Sequence, residues 1–193
     1  DGKTAGEYEP IFFKQAKYTL LDQNTFWLCE KPDSVGMVGW DAALTRIATW
    51  VKLQDKKTGQ ILMVVNTHFD HIGTEARRNS ALLIIEKIKE IVGTSPAILT
   101  GDFNVSEDWD AYKTITNNEF ILKDAHKVAG KRTGVDFTYH NFGKIPAEKC
   151  EKIDFIFVTP QIRVISSYIP FSQLNDTLFL SDHNPEIVEL EIK

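Results

Sequence analysis

Four segments of the chain place carboxylate, amide or imidazole side chains at the ends of apolar stretches. They span residues 65–70, 99–104, 152–156 and 180–185. Groups of these types can hold a divalent cation, orient a water molecule and transfer protons. Ligands in α/β proteins bind mostly where strands end. We therefore predict that the four segments are strand ends that meet at one site.

The Gly–Asp–Phe–Asn run at 101–104 is the most informative of these segments. Asp102 and Asn104 are two residues apart, so in extended backbone both side chains point the same way. Such a carboxylate and amide can together hold a water molecule and a phosphoryl oxygen, and Gly101 permits close backbone approach. Asp154 interrupts an apolar run, where a carboxylate is costly unless it is paired. Taken alone, each segment also fits a structural role, as a turn or as a hydrogen-bonded histidine.

The composition is that of a folded domain. Of 193 residues, 42% are apolar and 25% are charged, so we expect one domain over 1–193 and exclude intrinsic disorder. No apolar run reaches the ~18 residues that span a membrane. The net charge of −5 argues against a protein that coats nucleic acid by bulk electrostatics. Cys29 and Cys150 lack metal-ligand spacing and are expected to be free thiols, with a single disulfide as the alternative.

Apolar periodicity predicts a mixed α/β domain with more than one sheet. The clearest helix is expected over 74–92, with Thr74 as its N-cap and Gly93 as its stop signal. A short helix is expected over 109–115. Strands are expected over 10–13, 46–53, 61–65, 97–99, 153–158, 163–168 and 187–192.

Taken in order, the four motifs resemble those of the endonuclease/exonuclease/phosphatase superfamily, which includes DNase I, abasic-site endonucleases, inositol polyphosphate 5-phosphatases, deadenylases and bacterial sphingomyelinases. The resemblance covers the chain from about residue 6 to the end. It is carried by Asn66-Thr67-His68-Phe69, Gly101-Asp102-Phe103-Asn104, Ile153-Asp154-Phe155 and Ser181-Asp182-His183 with Pro185. Segments 39–41, 46–50 and 137–139 are similar to a bacterial branch of this superfamily.

The resemblance implies an α/β (α+β) fold, a four-layer αββα sandwich of two packed mixed β-sheets with the site at one end. It also implies divalent-metal-dependent hydrolysis of a phosphomono- or phosphodiester by in-line attack of water. The oxygen-rich set of candidate ligands independently favours Mg²⁺ or Mn²⁺ over Zn²⁺.

Residue roles follow from the same resemblance. Asp102 and Asn104 would orient the attacking water and the phosphate. Asp154 would pair with His183 and favour its charged form. His68 would contact the phosphate or protonate the leaving oxygen. The implied catalytic residues are His68, Asp102, Asn104, Asp154 and His183, and the implied metal ligands are Asp182 and Asp102, with Asp182 bound directly or behind the first ligands.

One departure from the superfamily pattern concerns the start of the chain. Two early motifs, a strand that ends in Asn and a later one that supplies the main metal-binding Glu, would lie upstream of Asp1. Glu7 belongs to a segment on the substrate side in relatives and is not assigned to the missing ligand. We therefore expect a domain that is incomplete at its N-terminus, with an exposed sheet edge through which copies can associate. The cell compartment stays open.

Two other functions remain as alternatives. The run from Asn66 to His71 resembles the zinc signature of metallo-β-lactamase-like hydrolases, with His68, Asp70 and His71 as ligands. Alternatively, the chain is a catalytically impaired fragment or a non-catalytic binding module.

The substrate is the least determined feature, with a small molecule, a lipid headgroup and a nucleic acid all open. Residues expected to bind it are His68, Asn104, Trp40 and Arg77, although burial of Trp40 and a solvated Arg77 are the structural alternatives. The acidic charge balance favours a small phosphoester over duplex DNA.

Overall fold

Most strands of the computed structural model, which describes residues 5–118, 120, 122–175 and 178–193, belong to two sheets. In spatial order, the larger sheet comprises β1 (Tyr18–Trp27), β2 (Ile47–Asp55), β3 (Ile61–His68), β4 (Ala97–Asp102), β7 (Asp154–Val158) and β5 (Lys123–Asp124). The smaller sheet comprises, also in spatial order, β11 (Ile187–Ile192), β8 (Ile162–Ile169) and β6 (Lys131–Gly134). Strand β9 (Gln173–Asn175) pairs with β10 (Leu178–Phe179).

Both main sheets are mixed. Strands β3 and β4 run parallel, as do β6 and β8, whereas the other neighbours are antiparallel. A parallel pair needs a crossover connection, and helix α1 (Thr74–Val92) provides it between β3 and β4. The remaining helices are α2 (Asp110–Thr116), α3 (Ala125–Val128) and a 3₁₀ turn at Ala147–Lys149. Within the described ranges, no helix combines the length and the apolar character that crossing a membrane requires.

The central strands are buried on both faces. On one face α1 and α2 pack against β2, β3, β4 and β7, around edge-to-face contacts of Phe103 with Phe69 and Phe157. On the other face Leu62 and Val158 meet Ile162 and Val164 of the smaller sheet. Two-sided burial explains why β3 and β7 are nearly continuous apolar runs. The molecule is therefore the mixed α/β arrangement of two main sheets that the motifs implied.

The predicted elements are confirmed except at their ends and in one segment. Helix α1 spans the predicted residues, and Gly93 follows it with φ of 58°. Thr74 is wrong as the N-cap: it is the first helical residue, Gly73 is the cap, and the carboxylate of Asp41 accepts hydrogen bonds from the backbone N–H groups of Glu75 and Ala76. The cysteines are free thiols, as expected.

The strand predicted at 10–13 is wrong. The backbone there is irregular, and the side chain of Phe12 is 91% exposed. An apolar run becomes a strand only where a neighbour pairs with it, and the described residues pair none with this one.

Asp70 holds the loop after β3 to the start of α1. Its Oδ1 accepts the N–H groups of Ile72 and Gly73, and its Oδ2 those of Ala43 and Leu44. Burial alone would raise the pKa of this carboxyl, but the four hydrogen bonds outweigh it and lower the pKa to about 2. Asp70 therefore has a structural role here.

We predict that Asp70→Asn lowers the free energy of unfolding at pH 7 by about 2–3 kcal/mol, because an amide cannot accept four N–H groups. The pKa of Asp70 is lowered by folding, so its contribution is complete above about pH 4 and disappears as the pH falls towards about 2. Urea denaturation of both proteins from pH 7 to pH 2.5 should show the difference shrinking. Asp33→Asn, at an exposed carboxylate, should change stability by less than about 0.5 kcal/mol. A difference that does not depend on pH would contradict this account.

Candidate active site

Three site residues lie in one row across neighbouring strands. His68, at the end of β3, is paired in register with Asp102 at the end of β4, and Asp102 is paired with Asp154 at the start of β7. Residues paired in this way point to the same face of a sheet. The row lines a pocket of about 380 Å³ that also includes Glu9, Asn66 and Glu186.

The backbone around Asp102 is shaped for close approach. A Cβ at Gly101, where φ is 152°, would lie 1.9 Å from the carbonyl oxygen of Thr67. Asn104 has φ of 49°, donates its backbone N–H to Oδ1 of Asp102 and donates Nδ2–H to the carbonyl of Phe69. The backbone of Asn104 is thus held at the Asp102 carboxylate, and its side-chain amide is held at the loop after β3. Oδ2 of Asp102 lies 3.4 Å from Nε2 of His68.

His183 is oriented by Asp154. Its Nδ1 lies 2.7 Å from Oδ2 of Asp154, so the imidazole donates a hydrogen bond to the carboxylate. The other ring nitrogen, Nε2, lies 4.0 Å from Oδ2 of Asp102. Buried Thr138 supports both partners: its Oγ1 accepts the N–H of Asp154, and its carbonyl accepts the N–H of Asn184, the residue after His183. The loop that carries His183 and the start of β7 are therefore held together through Thr138.

The ionisable groups of the row and His183 influence one another's pKa values. Burial, reinforced by the charge of Asp154, raises the pKa of Asp102 to about 6. Burial and the positive charge of Arg46 lower the pKa of His68 to about 4, so it is neutral near pH 7. Burial disfavours the charged form of His183, but its hydrogen bond to Asp154 and the nearby carboxylates outweigh burial and raise its pKa.

Asp102, Asp154 and His183 form a group that can hold a metal ion, since one ligand atom from each lies within 4.8 Å of the others. Two facing carboxylates that repel each other suit a divalent cation, and carboxylate oxygens are ligands that Mg²⁺ and Mn²⁺ accept. The residues present therefore fit a cation. Asp182, the other expected ligand, lies outside this group: its Oδ1 is 3.4 Å from Oγ of Ser181, and its backbone carbonyl accepts the N–H of His140.

Two residues expected to bind substrate lie elsewhere. Trp40 lines a separate pocket against α1, together with Glu30 and Leu82. Arg77 is 3% exposed, donates to the carbonyl of Asp70 and stacks on the ring of Trp109 at 4.9 Å. The structure brings neither side chain into the pocket of His68, Asp102 and Asp154.

The zinc-hydrolase alternative does not fit the geometry. Asp70 is 2% exposed and uses both carboxylate oxygens on backbone N–H groups, and Nδ1 of His71 faces Nη2 of Arg46 at 3.4 Å. In the described part of the chain, these residues form no group with His68 that can hold a metal ion.

Two charged residues beside the site, Arg46 and Glu9, are not among the site residues predicted from the sequence. Arg46, just before β2, is buried and forms an ion pair with Glu7, whose Oε2 also lies 3.3 Å from Nδ1 of His68. Glu9 accepts a hydrogen bond from Asn66, and burial raises its pKa to about 7. The signal was present in Arg46, a charged residue that begins an alternating apolar strand.

A family model described as the endonuclease/exonuclease/phosphatase family matches residues 10–183. The chain belongs to this family. Members of the family are hydrolases that act on phosphoesters.

Three proteins are similar to this chain in sequence, two of them with known structures. A crystal structure of an endonuclease/exonuclease/phosphatase from Bacteroides vulgatus is 64% identical, with a TM-score of 0.96 over 100% of this chain and 73% of that one. A mannosyl-6-phosphatase from Bacteroides thetaiotaomicron is 34% identical, with a TM-score of 0.85 over 93% and 69% of the two chains. An uncharacterized protein of Acanthamoeba polyphaga mimivirus is 30% identical over 175 residues, which are 86% of this chain and 63% of that protein, so the chain spans less than two thirds of this relative.

We predict that Gly101→Ala distorts the site. The added Cβ would lie 1.9 Å from the carbonyl oxygen of Thr67, so β3 and β4 must separate locally. We expect the free energy of unfolding to fall by about 2–4 kcal/mol. Gly59→Ala is the matched control, because Gly59 also has a positive φ, of 75°, but faces open space. Gly59→Ala should lower the free energy of unfolding by about 1 kcal/mol, which is the cost of a positive φ in a residue that has a Cβ. Equal losses for the two variants in urea denaturation would refute the steric explanation.

Proposed function

We propose that the chain is a divalent-metal-dependent phosphoester hydrolase that acts on small sugar phosphates. The observation that carries this proposal is the group of Asp102, Asp154 and His183, whose ligand atoms lie within 4.8 Å of one another beside His68. Asp102 and Asp154 would hold the cation, with Mg²⁺ or Mn²⁺ as the expected ion, and Asp182 would act behind them. When bound, the cation supplies positive charge for the phosphoryl oxygens.

The side chains divide the remaining work. Asp154 fixes the tautomer of His183, so that Nε2 of His183 is the atom free to accept a proton from an attacking water. Asn104, held beside Asp102, would orient that water and a phosphoryl oxygen. Because the pKa of His68 is about 4, its neutral ring suits a hydrogen bond to the phosphate better than proton donation to the leaving oxygen.

The substrate class rests on three observations. The 34%-identical relative is described as a mannosyl-6-phosphatase. The pocket, at about 380 Å³, has the size of a small-molecule site. The net charge of −5 disfavours a polyanionic duplex. A phosphomonoester of a sugar therefore fits better than DNA.

The proposal predicts hydrolysis that needs a divalent cation, the residues of the row and His183. Mannose 6-phosphate, glucose 6-phosphate, bis-p-nitrophenyl phosphate, a phosphoinositide and an oligonucleotide should be compared by phosphate or product release, with Mg²⁺, with Mn²⁺ and with EDTA. We expect the sugar phosphates to be the best substrates and EDTA to abolish turnover. His183→Ala and Asp102→Asn should each lower kcat by about 10²–10⁴-fold.

Asp33→Asn is the matched control for these variants and should retain full activity. Turnover that persists in EDTA and in His183→Ala would overturn the mechanism. Absence of turnover on the whole panel, from protein shown to be folded by circular dichroism, would instead support the hypothesis of an impaired or non-catalytic module.

A further inference from the structure

Arg46 is a buried cation whose partner is a largely exposed carboxylate. Its side chain is 6% exposed, and Glu7 supplies its carboxylate. Glu7 itself is 63% exposed and lies in a segment without helix or strand, in the range 5–17. Nε of Arg46 has no hydrogen-bond partner, and Nη2 faces only Nδ1 of His71 at 3.4 Å among the described residues. A buried guanidinium normally has a firmly held counter-ion, and here that counter-ion is the exposed end of a loop residue.

The carboxylate of Glu7 touches the active-site row as well. Its Oε2 contacts the guanidinium of Arg46 and also lies 3.3 Å from Nδ1 of His68, whose Nε2 is 3.4 Å from Asp102. One carboxylate oxygen thus lies between a guanidinium and an imidazole, and that imidazole in turn contacts Asp102, one of the residues that can hold a cation. A phosphoryl oxygen has the same charge and the same hydrogen-bonding partners as this carboxylate oxygen.

We propose that Arg46 is a phosphate-binding residue and that Glu7 occupies its anion position until a phosphate displaces it. The proposal rests on the proposed function, because it identifies how that site holds the phosphoryl group. The planar guanidinium would bind two phosphoryl oxygens side by side, and His68 would bind one of them. Glu7 would then turn towards solvent without disturbing a helix or strand.

The space around Arg46 suits such an exchange. A second pocket of about 310 Å³ is lined by Arg46, Glu7, Thr25, Trp27 and neighbouring residues, and it shares Glu9 with the pocket of the row. A carboxylate released from Arg46 therefore has room to move within the second pocket, which is also the one that Arg46 lines.

The test is binding of inorganic phosphate, measured by isothermal titration calorimetry in Mg²⁺ and again in EDTA. Glu7→Gln removes the competing anion but keeps the side-chain shape, so phosphate should bind at least about threefold tighter. Arg46→Lys keeps the positive charge but loses the planar pair of donors, so phosphate should bind at least about tenfold more weakly. If Arg46→Lys does not fold, as judged by circular dichroism, the Glu7→Gln result decides alone.

Two matched controls remove the same groups far from the site. Glu90→Gln removes an exposed glutamate paired with Lys87 on α1, and Arg163→Lys changes an arginine paired with Glu191 on the smaller sheet. Neither should alter phosphate affinity. Unchanged or weaker binding in Glu7→Gln would overturn the proposal and show that Glu7 is a fixed structural partner.

The outcomes separate this proposal from the proposed function. Tighter phosphate binding in Glu7→Gln, without turnover of any phosphoester by the parent chain, would support the anion site and reject the hydrolase. Metal-dependent turnover, with phosphate affinity and KM unchanged in Glu7→Gln, would support the hydrolase and reject the exchange at Arg46.

Discussion

The site depends on two carboxylates that stand directly opposite each other across antiparallel strands. Asp102 ends β4 and Asp154 begins β7, and the two are register partners. Like charges in this arrangement destabilise a sheet. The register is nevertheless fixed, because the same strands pair Leu99 with Phe157 inside the core. A slip of one residue would turn these side chains from the core beneath α1 and α2 to the opposite face of the sheet, where different side chains pack. The cores on both faces of the sheet therefore hold together charges that would otherwise separate.

A buried polar network joins this strand pair to the second sheet. Nζ of Lys152, just before β7, donates to the carbonyl of Asp154 and to Glu186, which also accepts a hydrogen bond from Ser167 of β8. Both charged side chains are almost fully buried, so removing either one would leave an uncompensated charge inside the protein. The position of Asp154 therefore depends on contacts between the two sheets as well as on pairing within its own sheet.

The sequence predicts the elements with strong periodicity and the residues of the row. It does not predict the shortest strands or the surroundings of Arg46 and Trp40. Helix α1 has five turns of regular pattern, and the row consists of polar residues that directly follow or begin apolar strands. By contrast, β5 and β10 have two residues each, too few to show a period. Arg46 is conspicuous as a charge at the start of an apolar strand, but its partner Glu7 lies 39 residues away in the sequence and no local pattern predicts that pairing. Trp40 was assigned by residue type, whereas its location depends on packing against α1.

Binding of a divalent cation and binding of a phosphate to this pocket would depend on each other through the charges of its side chains. Asp102, Asp154 and Glu9 line the pocket, and Glu7 neutralises Arg46, so an incoming phosphate would meet mainly carboxylates. A divalent cation on Asp102 and Asp154 would offset two of these charges, and release of Glu7 would expose the guanidinium of Arg46. Cation binding and release of Glu7 both make the electrostatic potential of the pocket more positive. Each should therefore strengthen the effect of the other on phosphate binding. If these carboxylates hold the cation, they would repel phosphate from the cation-free pocket, and binding of the cation before the phosphate would then be the favoured order.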